Sequence, residues 1–204
     1  MHSLQIPLIR LNLVKDLQSQ KMKIHLFGAS GAGCTTQGKD LAEILNIPFF
    51  DTDDYFWAPS SIPFTKRRSP AARNELLKAA LEPYDSWIVS GSLVSWGPEW
   101  KSAFDLAVFL YVPHDIRMER LRARELARYG DIFEKDVQRK RMHEEFMEWA
   151  SSYDTGNVRR SLAIHTAWMN TLSCPVLTIK GDMSVAVRRE IMMERIREIL
   201  SQAD

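Results

Sequence analysis

Residues 28–35 place three glycines between an apolar strand and an amphipathic helix. The segment reads Gly28-Ala29-Ser30-Gly31-Ala32-Gly33-Cys34-Thr35. It matches the phosphate-binding pattern G-x-x-x-x-G-K-[ST], except that cysteine stands at the lysine position. In such a turn the backbone N–H groups point at an anion, and the start of the following helix adds its positive dipole end. We therefore expect a strand, a glycine loop and a helix that together hold phosphate groups.

Apolar strands alternate with helices along the rest of the chain. The predicted strands are 23–27, 47–50, 87–90, 106–112 and 176–179, and the main predicted helices are 35–45, 71–81, 115–128 and 185–200. Apolar strands that alternate with helices indicate a parallel sheet covered on both faces. The predicted fold class is therefore α/β, a three-layer α/β/α sandwich with a five-stranded parallel sheet.

The length of 204 residues suits a single domain. Residues 1–21 lack the continuous apolar core of a secretory signal, and we expect them to be an N-terminal extension outside the fold. The domain is then residues 22–204. A highly charged helical stretch at 130–153 suits a surface insert that moves.

Composition excludes several classes of protein. The chain is 45% hydrophobic and 26% charged, and no apolar run reaches the roughly 20 residues of a membrane helix. A net charge of +1 and the lack of a groove-reading motif argue against direct contact with nucleic acid. Two unrelated cysteines, Cys34 and Cys174, fit reduced thiols, so we expect a cytoplasmic protein. The oligomeric state is left open.

Each part of the loop has an expected role. The backbone of residues 28–36, including Thr36, is expected to hold the phosphates of ATP. The Thr35 hydroxyl is placed to coordinate Mg²⁺ that bridges the terminal phosphates. Cys34 cannot supply the lysine cation, because a thiol is neutral and a thiolate repels phosphate.

Three carboxylates follow the second predicted strand, namely Asp51, Asp53 and Asp54. Ligands bind at the carboxyl ends of strands in open parallel sheets. One carboxylate there is placed to orient or deprotonate an acceptor hydroxyl, and another to hold Mg²⁺ through water. The alternative is that these side chains cap the start of a helix.

Four arginines recur on one side of the helix after the fourth strand, namely Arg117, Arg120, Arg124 and Arg128. Guanidinium groups bind phosphate oxygens bidentately, and Arg120 and Arg124 are the first candidates to replace the absent lysine. The alternative is a solvated helix face neutralised by neighbouring glutamates.

From Met22 onward the chain resembles the adenylate kinase and shikimate kinase branch of P-loop small-molecule kinases, and within it the topology modulation proteins. The resemblance lies in the loop, residues 47–57, residues 87–91, Val112-Pro113 with the two arginines after it, and Val158-Arg159-Arg160. It implies a P-loop kinase fold that uses ATP and Mg²⁺, with an acceptor-binding insert at about 55–85 and a helical lid at about 125–158.

The resemblance also implies roles for single residues. Catalytic roles fall to Arg120, Arg124, Asp51 and Asp53, with Arg120 also on the nucleotide. Acceptor binding falls to Asp51, Asp53, Asp54, Gly91, Arg159 and Arg160. The chain departs from the family at Cys34 and at Ser90-Gly91-Ser92, which replaces the Asp-Gly-aromatic signature of nucleoside monophosphate kinases.

Two hypotheses about function follow. The first is an ATP-dependent phosphotransferase that acts on an unidentified small molecule. The second is a nucleotide-binding regulatory module without catalysis, which the loss of the lysine favours. His114, His143 and His165 show no metal-ligand spacing and are expected to be surface residues.

Overall fold

The computed structural model describes residues 21–130, 132–156 and 158–202. Residues 1–20 of the expected N-terminal extension lie outside the described residues. The strands are β1 (Lys23–Gly28), β2 (Phe49–Asp51), β3 (Trp87–Ser90), β4 (Leu106–Tyr111) and β5 (Val176–Lys180). The helices are α1 (Cys34–Leu45), α2 (Thr52–Phe56), α3 (Pro70–Leu81), α4 (His114–Tyr129), α5 (Ile132–Lys135), α6 (Val137–Ser151), α7 (Leu162–Met169) and α8 (Val185–Ser201). A 3₁₀ turn spans Pro98–Lys101.

The strands form one five-stranded sheet in the order β2-β3-β1-β4-β5, and every pairing in it is parallel. β1 lies in the centre and pairs with β3 and β4, so the glycine loop that follows it leaves the middle of the sheet. This arrangement confirms the predicted α/β class and five-stranded parallel sheet.

Successive side chains of the central strands pack on opposite faces of the sheet. Ile24 and Leu26 of β1 belong to one apolar cluster with α1 and α8, while Phe27 belongs to a second cluster with α3 and α7. In β4, Val108 and Phe109 divide in the same way. Because both faces are covered, β4 is apolar along its whole length, as strands of parallel sheets commonly are.

Local signals place two of the element boundaries. The Ser69 hydroxyl accepts a hydrogen bond from the Ala72 N–H at 3.2 Å and Pro70 is the first residue of α3, so this serine-proline start lies one residue before the predicted start at 71. β2 begins two residues later than expected, because Pro48 has no N–H to donate to the ladder. Its carbonyl still accepts from the Ile88 N–H at 2.9 Å.

The segment expected to be a lid contains α5 and α6. One side of α6 packs on α4 in a small apolar cluster that includes Met118, Leu121 and Ala150. Asp136 caps α6 by accepting from the Arg139 N–H at 3.0 Å. Among the helices that the structure describes, none has the length and apolar character needed to cross a membrane.

Candidate functional site

The glycine loop runs from the end of β1 to the start of α1. Gly33 is the N-cap of α1 with φ of 91°, a left-handed conformation that glycine adopts without steric cost. No side chain caps this helix end within the described part of the chain. The first N–H groups of a helix have no partners inside the helix. They are therefore left available to an anion held in the loop.

The hydroxyl of Thr35 lies against a carboxylate of the second strand. Thr35 Oγ1 donates a hydrogen bond to Asp51 Oδ2 at 2.7 Å. The other oxygen, Asp51 Oδ1, accepts from the Asp53 N–H at 3.0 Å and so caps α2. Asp51 therefore has the capping role that the sequence left open, and it also meets the loop.

The pair formed by Thr35 and Asp51 fits the chemistry of Mg²⁺. This ion takes oxygen ligands, is held by few protein groups, and completes its shell with water and phosphate oxygens. The described residues contain no group of three or more His, Cys, Asp or Glu side chains able to hold a metal ion by themselves. A hydroxyl beside a carboxylate at the end of a phosphate loop suits an ion that arrives with a nucleotide.

Asp53 lies beyond this pair on α2 and keeps access to solvent. The surrounding protein nevertheless raises its pKa, chiefly by desolvation, and the charge of Asp51 adds to this effect. Asp54 is also exposed, and its pKa is raised by desolvation and by Asp51. An accessible carboxylate with a raised pKa is suited to accept a proton from a bound hydroxyl.

Two arginines oppose the rise in the pKa of Asp53. The larger effect comes from Arg160, at the return from the lid segment, and a smaller one comes from Arg124 on α4. Arg124 also donates to Glu125 Oε1 from Nη2 at 3.0 Å. Asp53, Arg124 and Arg160 are thus brought together although they are far apart in sequence.

The ring of Phe56 gathers further positive charge beside Asp53. The guanidinium carbon of Arg160 lies 5.0 Å from the ring centroid, that of Arg73 5.5 Å and that of Arg67 5.9 Å. Arg160 has a lowered pKa because of burial, opposed by Asp53, and the charge of Arg67 lowers it further. These cations repel one another, so an anion placed among them would be stabilised.

The remaining predicted residues lie around this centre. Arg120 forms an ion pair with Asp182 in the turn after β5, at a different place from Arg124. Arg159 is exposed, and its charge acts on Arg73. Thr36 is exposed on the first turn of α1.

Gly91 follows β3 and faces the start of α2. Its φ is 103°, and a Cβ there would collide with the hydroxyl of Thr52. Its carbonyl accepts a hydrogen bond from His25 Nε2 at 2.8 Å, and its N–H donates to the Leu26 carbonyl at 2.9 Å. The turn is therefore fixed to the central strand, next to the predicted acceptor site.

Arg188 on α8 is a residue that the sequence reasoning missed. It is only 3% exposed, and its Nη1 donates to the carbonyl of Ala32 inside the glycine loop at 2.8 Å. The apolar Val187 beside it on α8 is 50% exposed. The buried face holds Arg188, Met192, Ile196 and Leu200, at spacings of four residues. An arginine in phase with these apolar positions was the available signal.

Arg117 was expected on the same helix side as the candidate phosphate-binding arginines, but it is completely buried. Its Nε donates to the Val112 carbonyl at 3.1 Å and its Nη1 to the Ser30 carbonyl at 3.4 Å. Its Nη2 pairs with Asp154 at 2.6 Å. Arg117 therefore ties the loop to β4 and to the return segment, which is a structural role.

The expectation of surface histidines is wrong for His165, which is fully buried. Its Nε2 hydrogen bonds with the Ser92 hydroxyl at 3.0 Å and its Nδ1 with the Tyr153 hydroxyl at 2.8 Å. Burial, aided by the charges of His25 and Arg160, lowers its pKa to about 3, so the ring is neutral. A neutral ring donates from one nitrogen and accepts at the other, which suits two hydroxyl partners.

Comparison with known proteins gives a relative in sequence. "Uncharacterized protein YqaC" of Bacillus subtilis (strain 168) is 43% identical over 182 residues, which cover 89% of this chain and 98% of that protein. No known family model matches the sequence.

Solved structures with a similar course of the chain include three kinases, all with a TM-score of 0.49. Shikimate kinase from Acinetobacter baumannii, in complex with shikimate, is 19% identical, covering 93% of this chain and 98% of that chain. A gluconokinase from Sinorhizobium meliloti 1021 is 16% identical, with coverages of 90% and 95%. Deoxyadenosine kinase from M. mycoides is 15% identical, with coverages of 87% and 100%.

Proposed function

The chain belongs to the family of the Bacillus subtilis protein YqaC, and we propose that it is an ATP-dependent phosphotransferase. Its acceptor is a small molecule that carries a hydroxyl and an anionic group. The observation that carries the proposal is the placement of Asp53. This residue has a raised pKa, its N–H donates to Asp51 of the Thr35–Asp51 pair, and the charge of Arg160 acts on its carboxylate.

The loop holds the phosphates of ATP in this proposal. The uncapped start of α1 offers its N–H groups to the β- and γ-phosphates, and the helix dipole adds to the attraction. Thr35 and Asp51 would hold the Mg²⁺ that accompanies ATP. When bound, the ion neutralises charge that develops on the phosphate oxygens.

Asp53 acts as the general base. It accepts the proton of the acceptor hydroxyl while the acceptor oxygen forms a bond to the γ-phosphorus and the bond from that phosphorus to the β–γ bridging oxygen breaks. ADP leaves with the electron pair of that bond. Asp53 then returns the proton to solvent. A base of raised pKa accepts the proton more readily than an ordinary aspartate does.

The arginines near Phe56 favour an acceptor that carries a negative charge. Arg73 and Arg160 form none of the ion pairs within 4.0 Å among the described residues, and both have lowered pKa values because of burial and of neighbouring positive charge. A phosphate or carboxylate on the acceptor would neutralise this surplus. Guanidinium groups bind such anions with strong bidentate hydrogen bonds.

The experiment offers Mg²⁺ and ATP to the purified protein with two matched sets of alcohols, one neutral and one phosphorylated or carboxylated. Product formation is followed by ³¹P NMR. The proposal expects transfer to a member of the anionic set, and loss of that transfer in Asp53→Asn. Transfer only to neutral alcohols would contradict the assignment of the arginines.

The second candidate function is a nucleotide-binding module without catalysis. The observation that favours it is Cys34, whose pKa burial raises to about 12, so the loop carries a neutral thiol where kinases carry a cation. In that case the wild-type protein binds ATP and ADP by calorimetry and transfers phosphate to no acceptor in either set.

A further inference from the structure

We propose that Arg188 supplies the positive charge of the phosphate loop from behind it, in place of the lysine that Cys34 replaces. The inference rests on one part of the proposed function, that the loop binds the phosphates of a nucleotide. It gives the last helix, α8, a part in nucleotide binding.

The contacts of Arg188 lead directly to the loop. Its Nη1 donates to the Ala32 carbonyl at 2.8 Å and lies 3.5 Å from where a Cβ on Gly33 would stand. Its Nη2 donates to the Gly181 carbonyl at 3.3 Å, in the turn after β5. The guanidinium is thus held between two backbone segments, one of which is the loop itself.

The Arg188 guanidinium has no carboxylate partner of its own in the described part of the chain, because Asp182, whose charge acts on it, is paired with Arg120. None of the ion pairs within 4.0 Å there includes it. Its Nε is buried and has no hydrogen-bond partner among those residues. Buried charges are normally paired. An anion in the loop would provide the missing negative charge.

The neutral residue at position 34 agrees with this arrangement. The charge of Arg188 reaches Cys34, where it opposes the effect of burial on the thiol. A lysine at 34 would bring a second cation close to Arg188, and two buried like charges repel. Among the described residues two arginines reach the loop backbone: Arg117 is paired with Asp154, whereas Arg188 on α8 forms no ion pair within 4.0 Å.

Arg188 is a positioning residue in this account, because its 3% exposure keeps it from touching the nucleotide. It turns the Ala32 carbonyl away from the phosphates, and its charge acts across the loop backbone. This second effect grows with the number of phosphate charges. It therefore predicts a loss that is larger for ATP than for ADP and absent for adenosine.

The test measures binding of ATP, ADP and adenosine by calorimetry. Arg188→Gln keeps a donor and loses the charge, whereas Arg188→Lys keeps the charge. The matched control is Arg189→Gln on the same helix, where Arg189 pairs with Asp40 of α1 at 3.0 Å. We expect Arg188→Gln to bind ATP about tenfold more weakly or worse, to bind adenosine unchanged, and Arg188→Lys to keep most of the affinity.

A rescue variant distinguishes the loss of charge at Arg188 from a loss of structure. Cys34→Lys in the Arg188→Gln background is expected to restore ATP affinity, because it returns a cation to the loop from the other side. An equal loss for ATP and adenosine in Arg188→Gln, or unchanged ATP binding, would overturn the inference. If Arg188→Gln does not fold, ATP binding is measured instead for Arg188→Lys and for the double variant Cys34→Lys/Arg188→Gln. A lack of ATP affinity in these variants would overturn the inference. A wild-type protein that binds no ATP would instead refute the proposed function.

Discussion

Thr35 Oγ1 donates a hydrogen bond to Asp51 Oδ2 at 2.7 Å, so the glycine loop and the second strand meet at one point. The other Asp51 oxygen caps the helix that carries Asp53. One carboxylate therefore fixes the position of the proposed general base relative to the proposed magnesium site. A change at either end of this link alters both halves of the site.

Removing the Thr35 hydroxyl is expected to weaken the use of Mg²⁺. We expect Thr35→Ala to lower kcat/KM for MgATP by about a hundredfold, because a metal ligand that acts in the transition state is lost. Thr35→Ser keeps the hydroxyl and should retain most of the activity. The measurement is the initial rate as a function of Mg²⁺ concentration. Equal rates for the alanine and serine variants would contradict the role of the hydroxyl.

Asp53→Asn should lower kcat by about a hundredfold or more, because a general base contributes on that scale. Glu is the informative replacement, since it keeps the carboxylate but moves it. Asp53→Glu is expected to fall between the wild type and Asp53→Asn. The rates are compared at saturating ATP, and a kcat for Asp53→Asn close to that of the wild type would rule out general-base catalysis by this residue.

Asp53→Asn should also stabilise the fold at neutral pH. The pKa of Asp53 is raised in the folded protein, so its ionised form is disfavoured there relative to the unfolded chain. Its contribution to stability is fully present below the ordinary aspartate pKa of about 3.9 and is lost as the pH rises through the folded pKa. The Tm of Asp53→Asn is thus expected above that of the wild type at pH 7, with the gap closing at acidic pH. A Tm difference that widens as the pH falls would show that the pKa of Asp53 is lowered in the folded protein.

Arg160→Met should raise the KM for the acceptor by about tenfold or more and leave the KM for ATP unchanged, because a charge-assisted contact to the anion is lost. Arg160 lowers the pKa of Asp53. Its removal should therefore move the acidic limb of the kcat/KM profile to higher pH. Lys66→Met, an exposed cation of the same region, is the control. A pH profile of kcat/KM unchanged from the wild type would show that Arg160 does not affect the pKa of Asp53.

Arg117→Met is predicted to destabilise the protein by about 3 kcal/mol, because it leaves Asp154 without its partner and buried carbonyls without donors. Arg122→Met on the same helix removes an exposed arginine and should change stability by less than about 0.5 kcal/mol. Urea unfolding monitored by circular dichroism compares the two. Similar midpoints would contradict the structural role of Arg117.

Much of the fold could be predicted from short-range signals. The glycine loop, the Ser69-Pro70 helix start and the apolar strands are properties of neighbouring residues, and the structure has them where the sequence indicates. β2 differed because the missing N–H of Pro48 outweighed the apolar character of Ile47 and Pro48.

The parts of the site that were missed depend on distant contacts. Arg188 and Ala32 are 156 residues apart, and His165 and Ser92 are 73 apart. Periodicity indicates that a residue lies on a buried face, but it does not specify which distant group that residue contacts. A polar residue in phase with apolar ones, as Arg188 is with Met192 and Ile196, was the only local sign.

The most direct test of the proposed reaction uses ATP labelled with ¹⁸O in its γ-phosphate and a bacterial metabolite extract as the source of acceptor. The account predicts that the wild-type protein transfers labelled phosphate to an anionic metabolite, detected by mass spectrometry, and that Asp53→Asn does not. Tight ATP binding with no labelled metabolite, or equal labelling by both proteins, would contradict it.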